Sequence, residues 1–277
     1  MSVVAVLQGT EAEDRHTTLV AVEIARRLNT PVTGLFALPD PMAVLMVSTS
    51  PEMVSISPSM TQSMIDQQAA MTEVAKTAFR EATSTGAHGL DCEFFHEVNS
   101  VERATANAAT LADAVVFPRS AAKVGEPLYM AFEHVMMEAR LPLVLAGADE
   151  MPAGPVIIAW DGSNGAARAV RFHLPLIRAF GEVIIAQAPK DLERDAARPV
   201  AEPGTLEDWL KQHGVTVSVA GIEGDVAGGL LALAKGSGAS MIVAGAYGHS
   251  RLGERIFGGT SRRLLEAKDA PALALAR

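Results

Sequence analysis

Apolar residues in this chain fall into short runs separated by longer stretches where they recur every three or four positions. The segments 3–7, 32–37, 90–97, 114–117, 156–160, 182–188, 215–220 and 241–244 have strand length, and most are apolar throughout, as strands buried on both faces are. Between them, Ala21, Ile24, Ala25 and Leu28 form one helical stripe, and Ala166, Val170, Leu174 and Ile177 form another. Pro175 interrupts the second stripe and predicts a kink. Strands alternating with helices imply an α/β fold, with an open, mainly parallel sheet covered by helices on both faces.

The pattern is written twice. Residues 3–10 line up with 156–163, each an apolar strand ending in a polar residue, a glycine and a hydroxyl. A helix follows in both copies, then further strands. Gly86 and Gly214 read as helix C-caps, and Ser100 and Asp225 as N-caps. Each copy closes on a proline and an apolar strand, 142–146 and 271–275. The Pro- and Gly-containing stretch 149–155 reads as a linker, giving domains 1–148 and 154–277, each with five strands. Residues 40–68 break the repeat. They read as a surface excursion or partly helical lid, or alternatively as a Met-lined apolar surface for a partner.

The densest chemistry follows the run 241–244. Gly245 and Gly248 are followed, after nine residues, by Gly258, then Gly259, Thr260, Ser261 and a basic helix-prone stretch. A strand, a Gly-rich turn and a helix aim backbone N–H groups and a helix N-terminus at an anion, commonly a phosphate. Neither a Walker A loop nor a G-x-G-x-x-G fingerprint is present. Asp161 ends the first strand of the second copy, where an acidic side chain can accept from a base or ribose, and His249 is the histidine best placed to approach a ligand. Plainer readings stand beside these. The glycines serve tight turns, Asp161 caps the following helix, and Arg251, Arg255, Arg262 and Arg263 form a solvated helix face.

The G-x2-G-x9-G spacing, the strand-end acid and the strand sequence of 155–277 resemble the universal stress protein family, particularly its tandem bacterial members. The resemblance implies two Rossmann-like, adenine nucleotide α-hydrolase-like domains. It also implies an adenine nucleotide, ATP or a relative, with or without Mg²⁺, held by Asp161, Gly245, Gly248 and Gly258, with His249, Gly259, Thr260 and Ser261 beside them. Gly259 departs from the family pattern, which has a hydroxyl residue there; Thr260 or Ser261 is positioned to supply one. The first copy departs further, with Gln8 for Asp161, Pro118 for Gly245, Ala121 for Gly248 and Ala131 for Gly258. A proline has no N–H to donate, so the first copy reads as scaffold without a nucleotide site.

Composition narrows the classes. A net charge of −9 disfavours nucleic acid as a partner. One cysteine, Cys92, excludes an intrachain disulfide and a Cys-based zinc site, and the other histidines are too scattered for a metal centre. No signal peptide or membrane-length apolar run is evident, so a cytoplasmic location is expected. No placed base or Walker-type lysine points to an enzyme, although slow ATP hydrolysis stays open. The Ser-Gly-Gly-x-Asp-Ser and His-x-Gly-His signatures of adenylating enzymes are absent. Two function classes remain, a nucleotide-responsive stress factor and a nucleotide-independent scaffold. The closing strands 143–146 and 273–276 are expected to pair within the chain as a pseudo-dimer, with room for further homo-oligomers.

Overall fold

A computed structural model describes residues 2–42, 58–87, 89–148, 150–188, 201–246, 259–267 and 269–277. The chain divides into two compact units, Met1–Ala139 and Arg140–Arg277.

The first unit runs β1 (Val3–Leu7), α1 (Glu11–Leu28), β2 (Val32–Leu38), α2 (Pro58–Gly86), β3 (Cys92–Val98), α3 (Val101–Ala109) and β4 (Ala114–Phe117). A 3-10 turn (Arg119–Ala122) and α4 (Tyr129–Glu133), which passes into a π turn (His134–Glu138), follow. Its strands lie in the order β3-β2-β1-β4, all parallel. All five residues of β1 and all four of β4 are buried, which is why these runs carry no polar alternation. β3 has only β2 as a described neighbour, and Phe95 and Val98 are exposed on it. Helix α2 packs on α1 and reaches the sheet at Gly34, where a β-carbon would come within 2.5 Å of the Phe79 ring. Within the interrupting segment, residues 58–68 form the start of α2, and 43–57 lie outside the described residues.

The second unit runs β5 (Leu143–Leu145), β6 (Val156–Ala159), α5 (Asn164–Phe172), α6 (Leu174–Phe180), β7 (Glu182–Gln187), α7 (Pro203–Gln212), β8 (Thr216–Gly221), α8 (Val226–Ser237), β9 (Met241–Gly245), α9 (Gly259–Glu266) and β10 (Ala272–Ala276). Its order is β5-β10-β9-β6-β7-β8, parallel except for β5. β5 runs antiparallel to β10, with Leu145 opposite Leu273 and Leu143 opposite Leu275. The strand that the repeat assigns to the end of the first copy therefore sits in the sheet of the second unit. Counted from β1 in the first unit and from β6 in the second, four strands of each take the order 3-2-1-4.

Local signals act where the sequence places them. The Ser100 side chain accepts from the Arg103 N–H at 3.3 Å and caps α3, and Asp225 accepts from Gly228 at 2.8 Å and caps α8. Gly214 takes φ +79 just past α7. Gly86 is the last residue of α2 rather than a residue beyond it. Pro175 opens α6 after a break at His173. That histidine is 3 % exposed, and its Nε2 lies 3.1 Å from the Leu275 carbonyl oxygen, so the neutral ring donates there and ties the helix bend to β10.

Burial without a counter-charge pushes the His173 ring down from 6.5 to about 4. An unfolded chain therefore takes up a proton at His173 from about pH 6.5 downward while the folded unit does not. The contribution is intact above that pH and is lost as pH falls toward 4. Denaturant unfolding across this window should show wild type losing up to about 3 kcal/mol more than His173→Gln.

Candidate functional site

β6 and β9 are parallel neighbours, from Val156 opposite Met241 to Ile158 opposite Val243. From β6 the chain steps to β7 and β8 on one side; it then returns to β9 and steps to β10 on the other. Strand order reverses between β6 and β9, and a crevice opens at the carboxyl ends of such a pair. The sequence-predicted Asp161 and Gly245 stand at these two ends.

The turn leaving β6 is fixed by short polar contacts. Asp161 Oδ1 accepts from the Ser163 N–H at 2.9 Å, Gly162 takes φ +70, and the Ser163 hydroxyl accepts from Ala166 at 3.2 Å as the N-cap of α5. Ser163 is thus the cap, and Asp161 shapes the turn one step earlier with one carboxylate oxygen. The buried Trp160 indole donates to the Ala201 carbonyl at 2.9 Å, and the Ala201 N–H returns to Gly162 at 3.4 Å. This pair of bonds straps the chain ahead of α7 against the same turn.

Gly245 has a packing reason. A β-carbon there would lie 2.8 Å from the Gly165 carbonyl carbon and 2.9 Å from the Ala166 nitrogen. Glycine lets the first turn of α5 sit directly on the end of β9, bringing a helix N-terminus and its orphan N–H groups to the strand-order reversal. Beyond it, Ala246 donates to Ala276 at 2.8 Å. Gly248, His249 and Gly258 lie outside the described residues, as do Arg251 and Arg255.

Helix α9 opens at Gly259, where a β-carbon would meet nothing within 4 Å among the described residues. Gly259 and Thr260 are exposed, and Ser261 is half-buried. The helix packs on α8, and Arg263 reaches the capping carboxylate of Asp225 at 2.6 Å. Arg262 pairs with Glu266 at 2.7 Å. Both arginines are therefore engaged on the helix surface. Among the described residues no group of three or more His, Cys, Asp or Glu side chains is arranged to hold a metal ion, and no helix is long and apolar enough to cross a membrane.

Two residues escaped the sequence reading. Gln187 closes β7 beside Trp160. It is 8 % exposed, and its Nε2 has no partner among the described residues. A lone amide ending an apolar run was the available signal. The other is Asp14, in the first turn of α1. Its carboxylate accepts from Gln8 at 2.8 Å, Gly9 at 2.9 Å and Thr10 at 3.1 Å. The corresponding residue of the second copy is Ala167. The first unit thus fills its own β1–α1 turn with an internal anion, whereas no such carboxylate enters the β6–α5 turn from its helix.

A family model described as the universal stress protein family matches residues 153–275. The second half of the chain is a universal stress protein domain. A universal stress protein from Archaeoglobus fulgidus, of known crystal structure, is 15 % identical; the alignment covers 100 % of this chain and 98 % of that one, with a TM-score of 0.65. At that identity the likeness shows a shared fold, and it extends over the first half of the chain as well as the universal stress domain. No curated protein matches the sequence.

The two described glycines of the motif should respond oppositely. Gly245→Ala is expected to cost about 1–3 kcal/mol, because α5 must move off β9. Gly259→Ala, in an open helical position, should be neutral or stabilise by up to about 1 kcal/mol. Denaturant midpoints of the two variants check both signs.

Proposed function

We propose that the universal stress domain binds an adenine nucleotide, ATP or a relative, with or without Mg²⁺, and that the protein works as a nucleotide-responsive stress factor in the cytoplasm rather than as an enzyme. The observation that carries this reading is the strand-order reversal between β6 and β9, with Asp161 at one strand end, Gly245 at the other and the N-terminus of α5 between them. Base or ribose would meet Asp161, and phosphates would meet backbone N–H groups of the loop that ends at Gly259, with Thr260 and Ser261 supplying hydroxyls. A nucleotide there would bias the conformation of 245–261 and with it the surface offered to partners.

A second reading, a scaffold indifferent to nucleotide, draws on two observations. Packing alone explains Gly245, and Gly259 stands where the family has a hydroxyl residue. The edge of β10, through which universal stress domains are expected to pair, is occupied here by β5; the pseudo-dimer reading rests on that ladder.

Calorimetric titration of ligand-stripped protein with ATP separates the two readings, together with analysis of any small molecule released on denaturation. Saturable binding, weakened about tenfold or more in Asp161→Ala and in Gly248→Val, is the expected result. Unfolding curves of both variants must stay near wild type, since Asp161 also shapes its turn. Absence of binding at millimolar ATP would leave the scaffold reading.

A further inference from the structure

In the second unit α8 and α9 pack side by side, and a charge pair joins them. Asp225 follows β8 and caps α8. Its Oδ2 accepts from the Gly228 N–H at 2.8 Å and takes the Arg263 guanidinium at 2.6 Å. Packing presets the seat of that carboxylate. A β-carbon at Gly228 would lie 2.8 Å from the same Oδ2, and one at Gly229 would collide with Ile222, just past β8. The first turn of α8 thus leaves room for the acid to sit close and face α9.

α9 itself buries little. Of its eight residues only Leu264 is buried, while Gly259, Thr260, Arg262, Arg263 and Glu266 are exposed. The first copy meets the same place differently. With Ala131 opposite Gly258, Phe132 falls opposite Gly259, Val135 opposite Arg262 and Met136 opposite Arg263. These three first-copy side chains are at most 1 % exposed, and Phe132 packs edge-on against Phe117 of β4. Where the first unit has a broad apolar anchor, the second has one leucine and an ion pair. A helix with few buried contacts shifts or frays at small cost, so a single contact can decide where its N-terminus stands.

We propose that Asp225 and Arg263 are positioning residues for phosphate: their ion pair holds α9 so that its first N–H groups, with the hydroxyls of Thr260 and Ser261, stand where the phosphates of a nucleotide are bound. This rests on the nucleotide reading above and adds the contact on which phosphate affinity depends. The first N–H groups of a helix have no partner within it, and that end of the helix favours an anion. Hydrogen bonds from them weaken steeply with distance and angle, so a displaced α9 would lose them. Arg263 acts through the helix rather than on the ligand, because Asp225 holds its guanidinium.

Calorimetric titration of the full-length protein with ATP and with adenosine tests this proposal. Asn caps a helix as well as Asp does, so Asp225→Asn removes the charge and keeps the cap. Asp225→Asn and Arg263→Gln should each weaken ATP binding about two- to fivefold, the range an exposed ion pair supplies, and leave adenosine binding unchanged. The double variant should bind no more weakly than the weaker single variant, since each change removes the same contact. Unfolding midpoints of all three should stay near wild type. ATP binding by Asp225→Asn that equals or exceeds wild type would overturn the proposal, as would losses that add in the double variant or a parallel loss for adenosine. Wild type that binds ATP while the variants match it removes this inference alone. Wild type that binds neither ATP nor adenosine removes the nucleotide reading along with it.

Discussion

Every turn that leaves a buried parallel strand for a helix presents backbone N–H groups that must find an acceptor, and both halves of this protein are organised by how they meet that demand. In the first unit a side chain from the helix folds back and supplies the acceptor: the Asp14 carboxylate takes the N–H groups of Gln8 and Gly9, and Met71 packs against Gly9. In the second, the turn is settled by its own residues, Asp161 and Ser163, and by a strap from Ala201. Only the second leaves the strand-order reversal uncovered by a helix carboxylate. The two turns thus differ in acceptor supply on a shared strand order.

The universal stress fold sets this problem twice because its strand order, 3-2-1-4, places two carboxyl ends side by side at the reversal. The close seat of α5 on β9 at Gly245 has a double effect. It is a packing contact that would be kept with no ligand present, and it also delivers a helix N-terminus to the crevice. Gly245 is thus required by packing whether or not a ligand is present, and the strand-order reversal with Asp161 beside it is what distinguishes this crevice.

Elements governed by local chemistry were readable from sequence. The strand 114–117, the break at Pro175, and the caps Ser100 and Asp225 depend on runs, a missing N–H and a side-chain oxygen within three residues. Features set by tertiary closure were not. Pattern alone gives β5 its strand character but does not say which neighbour it joins. Asp14 looks like an ordinary acid in the first turn of a helix, where the macrodipole favours one, until the loop six residues back folds onto it. The Gly245 contact needs the register of β6 against β9, and the buried amide of Gln187 needs the third dimension to become conspicuous. Of the candidate site, Asp161 and the opening of α9 are placed by the structure, while Gly248, His249 and Gly258 belong to the stretch outside the described residues.

The antiparallel partnership of β5 with β10 carries a consequence for how this gene can be divided. The linker at 149–155 looks like a natural cutting point, yet a fragment beginning there would leave behind the strand that covers β10. Its last strand, with the backbone edge at Leu273 and Leu275 now unpaired, would be a template for addition of foreign strands. A fragment beginning near Arg140 takes its own edge protection with it. The covalent seam and the folding seam of this chain thus fall on opposite sides of one three-residue strand.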